Sequence, residues 1–364
     1  MKTQNNQIDF SNQIFFVGID VHKKQWTVTI RNNGMALKTF SMNPSPEELS
    51  GYLNRNYPNG IYKSIYEAGF CGYWIDRELK TLGIENIVVN PADIPTKSKE
   101  RRNRNDKIDS RKLSRELEAG TLEANYIPSE IHQEIRSLCR LRRQLTKDSI
   151  RLKNRIKCFL LFYGHKIPEH TELPHWSGRF IEHLGELKFN TAIGKDTLQV
   201  YLGELVEKKQ KTAEVLRLLR KYTMDYGIRD TIEKLMSVPG IGFITAITLY
   251  TELIDINRFK SIDALCNYVG LSPSVEATDQ KEYVKGLTQS HNKYLRNILI
   301  EASWVAVRKD PVLTHKFSKL TQRMPKQKAI IRISKKLLSR IRAVWKNNQS
   351  YQFNKDIEII KTKQ

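Results

Sequence analysis

Three rhythms of apolar and polar residues succeed one another along this chain. In the first, from about Gln13 to Ala124, short apolar runs alternate with helical patterns. Ile14-Phe15-Phe16-Val17-Gly18-Ile19 has strand length and closes on Asp20, and Val21 to Ile30 reads as the second strand of a hairpin. Ser45-Pro46-Glu47-Glu48-Leu49 opens a helix, with Ser45 as cap and Pro46 at the first position, where its missing N–H costs nothing. Ile61 to Tyr66 repeats the strand pattern and closes on Glu67. Trp74 to Leu79 then reads as helix and Ile87-Val88-Val89 as a short buried strand. Strands alternating with helices predict an α/β domain over residues 13–124.

The second rhythm has a longer period. Ile131, Leu138, Leu145, Leu152 and Phe159 recur every seven residues, with Ile135, Leu141 and Ile156 nearby, which predicts a long helix with a coiled-coil-like seam. A loop rich in Gly, Pro and His, from Gly164 to about Lys195, leads to a second helix carrying Leu198, Leu202, Leu205, Leu216 and Leu219. An antiparallel hairpin and a dimer seam both satisfy this pattern over residues 125–228. His165, His170, His175 and His183 show no recurring ligand spacing, so a metal site is not expected among them.

The third rhythm, over residues 229–350, predicts a mainly helical domain. Leu235 to Ala246, centred on Val238-Pro239-Gly240-Ile241-Gly242, reads as a helix-hairpin-helix-like element. Such a turn either offers backbone N–H groups to a phosphate at Gly240 and Gly242 or is an ordinary helix–helix turn closed by those glycines. Tyr268-Val269-Gly270-Leu271-Ser272-Pro273, a polar stretch to Asn292 and a helix from Lys293 to Lys309 follow. The segment from Lys326 to Lys346 is basic and amphipathic, with Ile330, Ile333, Leu337, Leu338 and Ile341 toward a core.

Charge changes this picture. The chain of 364 residues carries a formal net charge of +22, with a pI near 9.7, so a polyanion is the expected partner. No apolar run reaches the roughly 18 to 20 residues needed to cross a bilayer. Met1 to Asp9 is polar and lacks the apolar core of a signal peptide, and a cytoplasmic protein is expected. Cys71, Cys139, Cys158 and Cys266 form no C-x-x-C pair, which predicts four reduced thiols and neither a zinc site nor a disulfide framework.

Four carboxylates stand out against this basic background. Asp20 and Glu67 end apolar strands, and Asp106-Lys107-Ile108-Asp109 sets two acids three residues apart, on one face of a helix. Such a set could hold two Mg²⁺ ions, which take hard oxygen ligands and in pairs clamp both the attacking and leaving oxygens of a phosphate. The same residues also fit a turn aspartate and a solvated helix face that offsets nearby cations.

The chain resembles the DEDD transposases of bacterial insertion sequences over about Phe15 to Trp345. The N-terminal resemblance lies in Val17-Gly18-Ile19-Asp20-Val21-His22-Lys23, Tyr66-Glu67-Ala68-Gly69, Asn90-Pro91 and Asn105-Asp106-Lys107-Ile108-Asp109-Ser110-Arg111-Lys112-Leu113. The C-terminal resemblance lies in Val238-Pro239-Gly240-Ile241-Gly242, Tyr268 to Pro273 and His291-Asn292-Lys293-Tyr294-Leu295-Arg296. It implies a ribonuclease-H-like, RuvC-like N-terminal domain, a coiled-coil insert and a C-terminal transposase domain. It further implies that Asp20, Glu67, Asp106 and Asp109 bind Mg²⁺, and that a serine shortly after the G-L-x-P turn attacks DNA and becomes covalently linked to it. A structured guide RNA that pairs with donor and target DNA is also implied, together with a homodimer or homotetramer.

This chain departs from the family at the nucleophile. The serine position holds Thr278, followed by Asp279, with Ser274 and Ser290 nearby. Threonine can attack, although its methyl group restricts χ1. Arg101, Arg102, Arg104, Arg111 and Lys112 flank the acidic pair as candidate contacts to the nucleic-acid backbone, joined by Gly240, Gly242, Lys293 and Arg296. A Mg²⁺-dependent hydrolytic junction nuclease and an inactive nucleic-acid-binding descendant are the rival expectations.

Overall fold

The computed structural model describes residues 9–95, 105–278, 281–287 and 292–352, with the backbone alone between 274 and 285. The chain divides into two compact units, Met1–Ile127 and Pro128–Gln364.

The first unit is built on a mixed five-stranded sheet of order β3-β2-β1-β4-β5. Strands β1 (Ile14–Val21), β2 (Trp26–Asn32) and β3 (Met35–Met42) form an antiparallel meander, while β4 (Ile61–Glu67) and β5 (Glu85–Val89) run parallel to β1. Parallel neighbours need a crossover, and helix α2 (Trp74–Thr81) provides it between β4 and β5, while α1 (Pro46–Asn56) links β3 to β4. The expected second strand starts later than the sequence suggests, at Trp26, because residues 22–25 make the turn. Phe15, Val17, Ile19, Trp26, Val28 and Ile30 are fully buried, as central strands covered by helices require. This architecture is consistent with a ribonuclease-H-like domain.

One helix matters most for function. Helix α3 (Asp106–Glu118) lies directly on β1 and β2. Gly18 makes this possible, since a Cβ there would sit 2.2 Å from the Ser110 carbonyl oxygen and 2.5 Å from the Ser114 nitrogen. The facing helix surface is small and polar, and the buried Thr29 and Ser110 hydroxyls hydrogen-bond at 2.9 Å. At the other end of α3, Glu118 accepts from Arg31 Nε at 2.8 Å and from the Gly34 N–H at 2.7 Å.

The second unit begins with two long helices, α4 (Glu130–Phe162) and α6 (Ala192–Asp225), joined through the short α5 (Gly178–Gly185). Leu152, Ile156 and Leu160 share a core with Leu198, Leu202 and Leu205, while Ile135 and Cys139 share one with Val215 and Leu219. The late half of α4 therefore meets the early half of α6, and the pair is antiparallel within one chain. The buried stripe departs from the expected seven-residue seam: Ile131 is exposed, and Ile135, Cys139, Leu152, Ile156 and Leu160 are buried. The cause is a change of partner along the helix. The first half of α4 packs against the C-terminal helices together with the end of α6, and the second against α5 and the start of α6.

The rest of the unit comprises α7 (Arg229–Met236), α8 (Phe243–Leu253), α9 (Ile262–Val269), α10 (Lys293–Lys309), α11 (Pro311–Thr321) and α12 (Lys326–Asn347) around one apolar core. The polar stretch before Asn292 contains a two-stranded antiparallel hairpin, β6 (Pro273–Thr278) and β7 (Lys281–Leu287). Among the described residues, no helix is long and apolar enough to cross a membrane.

Candidate active site

The carboxyl end of β1 meets the N-terminus of α3, and the carboxyl end of β4 lies beside that of β1. Ile19 lies opposite Tyr66 in the parallel β1–β4 pair, so Asp20 and Glu67 are the next residues on adjacent strands. Ligands of open parallel sheets gather at such ends. Asn105 caps α3 by accepting from the Lys107 N–H, and Asp106 and Asp109 occupy the first turn, where the helix dipole favours negative charge. The Gly18 contact thus fixes the acidic end of α3 beside the acidic end of β1.

Three side chains converge there. Ligand atoms of Asp20, His22 and Asp106 all lie within 4.8 Å of one another. His22 Nε2 is 3.2 Å from Asp20 Oδ2, a hydrogen bond, and 3.6 Å from Asp106 Oδ1. Asp109 takes a hydrogen bond of 3.2 Å from Lys112 Nζ. Burial pushes the Asp20 carboxyl up to about 6, and the Asp106 and Asp109 charges add to the rise, while His22 opposes it. A half-buried carboxylate crowded by like charges is stabilised by a cation, so the donor set fits Mg²⁺. Asp20 and Asp106 supply the hard oxygen atoms that Mg²⁺ prefers, and His22, a softer donor, is better suited to orienting Asp20. His22 was not among the expected site residues. The available signal was its two-residue spacing from Asp20, which in extended chain returns a side chain to the same side. Glu67 stands at the neighbouring strand end, outside the three-residue cluster.

The remaining expected residues are distributed as follows. Arg111 is exposed and donates Nε to Thr39 Oγ1 at 3.1 Å. The Lys112 side chain is only 7% exposed, and its charge is directed at Asp109. Arg101, Arg102 and Arg104 lie outside the described residues, as does Ser290. Thr278 ends β6, paired in the backbone with Lys281 across the hairpin, and Ser274 lies earlier in the same strand.

Gly240 adopts φ +88°, and a Cβ there would meet the Ala302 carbonyl oxygen at 2.4 Å, so this glycine seats the α7–α8 turn against α10. Gly242 caps α8 with open space around its Cα. Lys293 and Arg296 occupy the first turn of α10, the end where the helix dipole disfavours cations, so helix stability does not account for them.

Both roots of the β6–β7 hairpin are tied to one buried acid. Glu252 takes two hydrogen bonds from Arg140, at 2.9 and 3.0 Å, and one from Asn292 Nδ2 at 3.1 Å. Its backbone carbonyl accepts from the Tyr268 hydroxyl at 3.2 Å, and the Asn292 N–H donates to the Tyr268 carbonyl.

Comparison with known proteins identifies the family. Residues 17–165 match a transposase family model of DEDD type, and residues 232–318 match the model of the Transposase IS116/IS110/IS902 family. A putative transposase, y4qE, of Sinorhizobium fredii (strain NBRC 101917 / NGR234) is 30% identical over 79% of this chain and 71% of its own length. The transposase for insertion sequence element IS1533 of Leptospira borgpetersenii is 25% identical over 79% of this chain and 84% of its own. That for IS1111A of Coxiella burnetii is 24% identical over 67% and 65%. The first model spans the acidic cluster and runs on through α4, the second spans the β6–β7 hairpin, and the chain therefore belongs to the IS110/IS116 family of DEDD transposases.

Proposed function

We propose that this transposase cuts and rejoins DNA strands with a Mg²⁺ site on Asp20, Glu67, Asp106 and Asp109 and a hydroxyl nucleophile, Thr278, from the β6–β7 hairpin. The observation that carries the reading is the convergence of Asp20 and Asp106, from elements far apart in sequence, beside a raised carboxyl pKa. When bound, Mg²⁺ stabilises charge on the phosphate oxygens and makes an attacking hydroxyl easier to deprotonate.

The chain's own groups do the rest. Asp20 and Asp106 present carboxylate oxygens, and His22 holds Asp20 in one orientation by its hydrogen bond. Arg111, exposed on α3 two residues after Asp109, is offered to a backbone phosphate. The Thr278 hydroxyl gives its proton to solvent, its oxygen bonds to phosphorus, and one sugar oxygen leaves, taking a proton from solvent, as a free hydroxyl strand end. One ester replaces another, so the bond energy is conserved for rejoining.

DNA is the substrate that the family implies, and the net charge of +22 agrees with a polyanionic partner. We also infer a structured guide RNA that carries sequence choice by base pairing, leaving the protein to read backbone and shape. Exposed Phe162, Ile193 and Val200 on the α4–α6 hairpin support assembly into a homodimer or homotetramer.

The test is incubation of purified protein with Mg²⁺, the element's flanking RNA, and donor and target DNA, read on a denaturing gel. A protein–DNA adduct lost in Thr278→Ala but retained in Ser274→Ala and Ser290→Ala is the expected result. Cleavage without an adduct would assign a hydrolytic nuclease instead, and binding without cleavage an inactive descendant.

A further inference from the structure

The segment from Pro311 to Asn347, covering α11, α12 and their connection, contains eleven Lys and Arg residues and no Asp or Glu. Apolar side chains fix both helices to the core, with Leu313, Ile333 and Leu337 fully buried. Arg340 is buried and spends its charge on Asp310, the cap of α11. The other cations have a different fate. Lys316, Lys319 and Arg323 from the α11 side and Arg332 and Lys336 from α12 line one cavity of about 660 Å³, together with His315. All six side chains are exposed, and among the described residues none of the five Lys and Arg forms an ion pair.

Five like charges gathered around a concave surface repel one another, so this arrangement weakens the fold slightly and calls for an external anion. The volume falls in the range of roughly 300 to 1,000 Å³ typical of ligand sites. With cations on both of its walls, it suits the phosphates of a single strand lying in it. Lys316 and Lys319 stand on α11 and Arg332 and Lys336 on α12, with Arg323 in the turn after α11, and cations held on helices fix where the phosphates must lie.

We propose that the groove between α11 and α12 seats the phosphodiester backbone of a single nucleic-acid strand, such as the loop of a stem-loop, separately from the acidic cluster of the first unit. The inference does not depend on the proposed chemistry, and it is tested without metal. Binding of the full chain is measured in EDTA by fluorescence anisotropy, using a stem-loop RNA, the same stem-loop in DNA, and a linear duplex. Lys319→Glu/Arg323→Glu/Arg332→Glu is compared with Arg179→Glu/Lys195→Glu/Lys221→Glu, which removes the same charge from exposed positions outside the groove.

The groove variant should weaken stem-loop binding at least about tenfold more than the control variant and reduce the slope of log Kd against log salt by about 2. Whichever stem-loop loses more identifies RNA or DNA as the source. Equal losses in the two variants would mean bulk charge alone and overturn the proposal, as would an unchanged affinity or a loss confined to the linear duplex. If the charge-reversed groove variant fails to fold, Lys319→Gln/Arg323→Gln/Arg332→Gln tests the same expectation.

Discussion

Asp20 illustrates how a single position acquires its chemistry from its surroundings. Its carboxyl is held up at about 6 against an ordinary 3.8, first by burial and then by Asp106 and Asp109. A carboxyl raised in the folded state binds its proton more tightly there than in the unfolded chain. Its contribution to stability is present in full below pH 3.8 and is lost as pH rises through about 6. A dry site would make this worth about 3 kcal/mol, and partial exposure reduces it to about 1 kcal/mol.

Metal-free Asp20→Asn should therefore melt higher than the parent protein at pH 8, with the difference vanishing near pH 4, in thermal scans across pH. A lower melting temperature at pH 8 would contradict charge crowding at this position. Cation binding must displace the same proton, so Mg²⁺ affinity by titration calorimetry should rise through pH 6 in the parent and lose that dependence in Asp20→Asn. The position of Asp20 at a strand end was legible in the sequence, and so was the Asp106–Asp109 helical step. The participation of His22 was not, because its contact depends on where α3 docks.

At the scale of elements, the β1–α3 contact decides whether the acids meet. Gly18 lies two residues before Asp20, and Ser110 lies one turn after Asp106, so the close approach between them acts as a spacer for the cluster. Gly18→Ala would force its methyl group into the Ser110 and Ser114 backbone, and rigid backbone atoms cannot give way as a flexible side chain would. The expected loss is about 1 to 3 kcal/mol by urea denaturation, with weakened Mg²⁺ binding in the fraction that remains folded. Gly34→Ala, in open space, provides the comparison for a glycine constrained by φ alone. Unchanged cation affinity in a folded Gly18→Ala protein would show that the spacing of α3 does not set the site. The long helices teach a related lesson. Their apolar periodicity announced two helices, but the choice of an intrachain antiparallel pair, and the displaced burial stripe along α4, came from packing against two different partners.

For the whole molecule, the carboxylates belong to the first unit and the candidate hydroxyl to the second. Asp20→Asn and Thr278→Ala, each lacking adduct formation alone, should regain it when mixed if different subunits contribute the two groups to one phosphodiester. The denaturing gel used for the parent protein reads this directly. No recovery under conditions where the subunits exchange would restrict the chemistry to groups of a single chain. The charge of +22 promises a polyanion without saying where it binds. The α11–α12 groove gives part of that charge a location, because helix docking gathers Lys316, Lys319, Arg323, Arg332 and Lys336 around one hollow.

Already legible in the residue order are the alternation of strands and helices in the first unit, the two long helices, the excess positive charge and the acids at element ends. These are local or additive properties, carried by apolar periodicity, capping residues and composition. Four features emerge only on folding: the β6–β7 hairpin within a polar stretch, the buried Lys112, the Glu252 anchor at the hairpin roots, and the meeting of Asp20, His22 and Asp106. Those features depend on close approaches such as the Thr29–Ser110 contact, between residues 81 positions apart. Such an approach is fixed by which small side chains allow two backbones together, a property of the pair that neither segment displays alone.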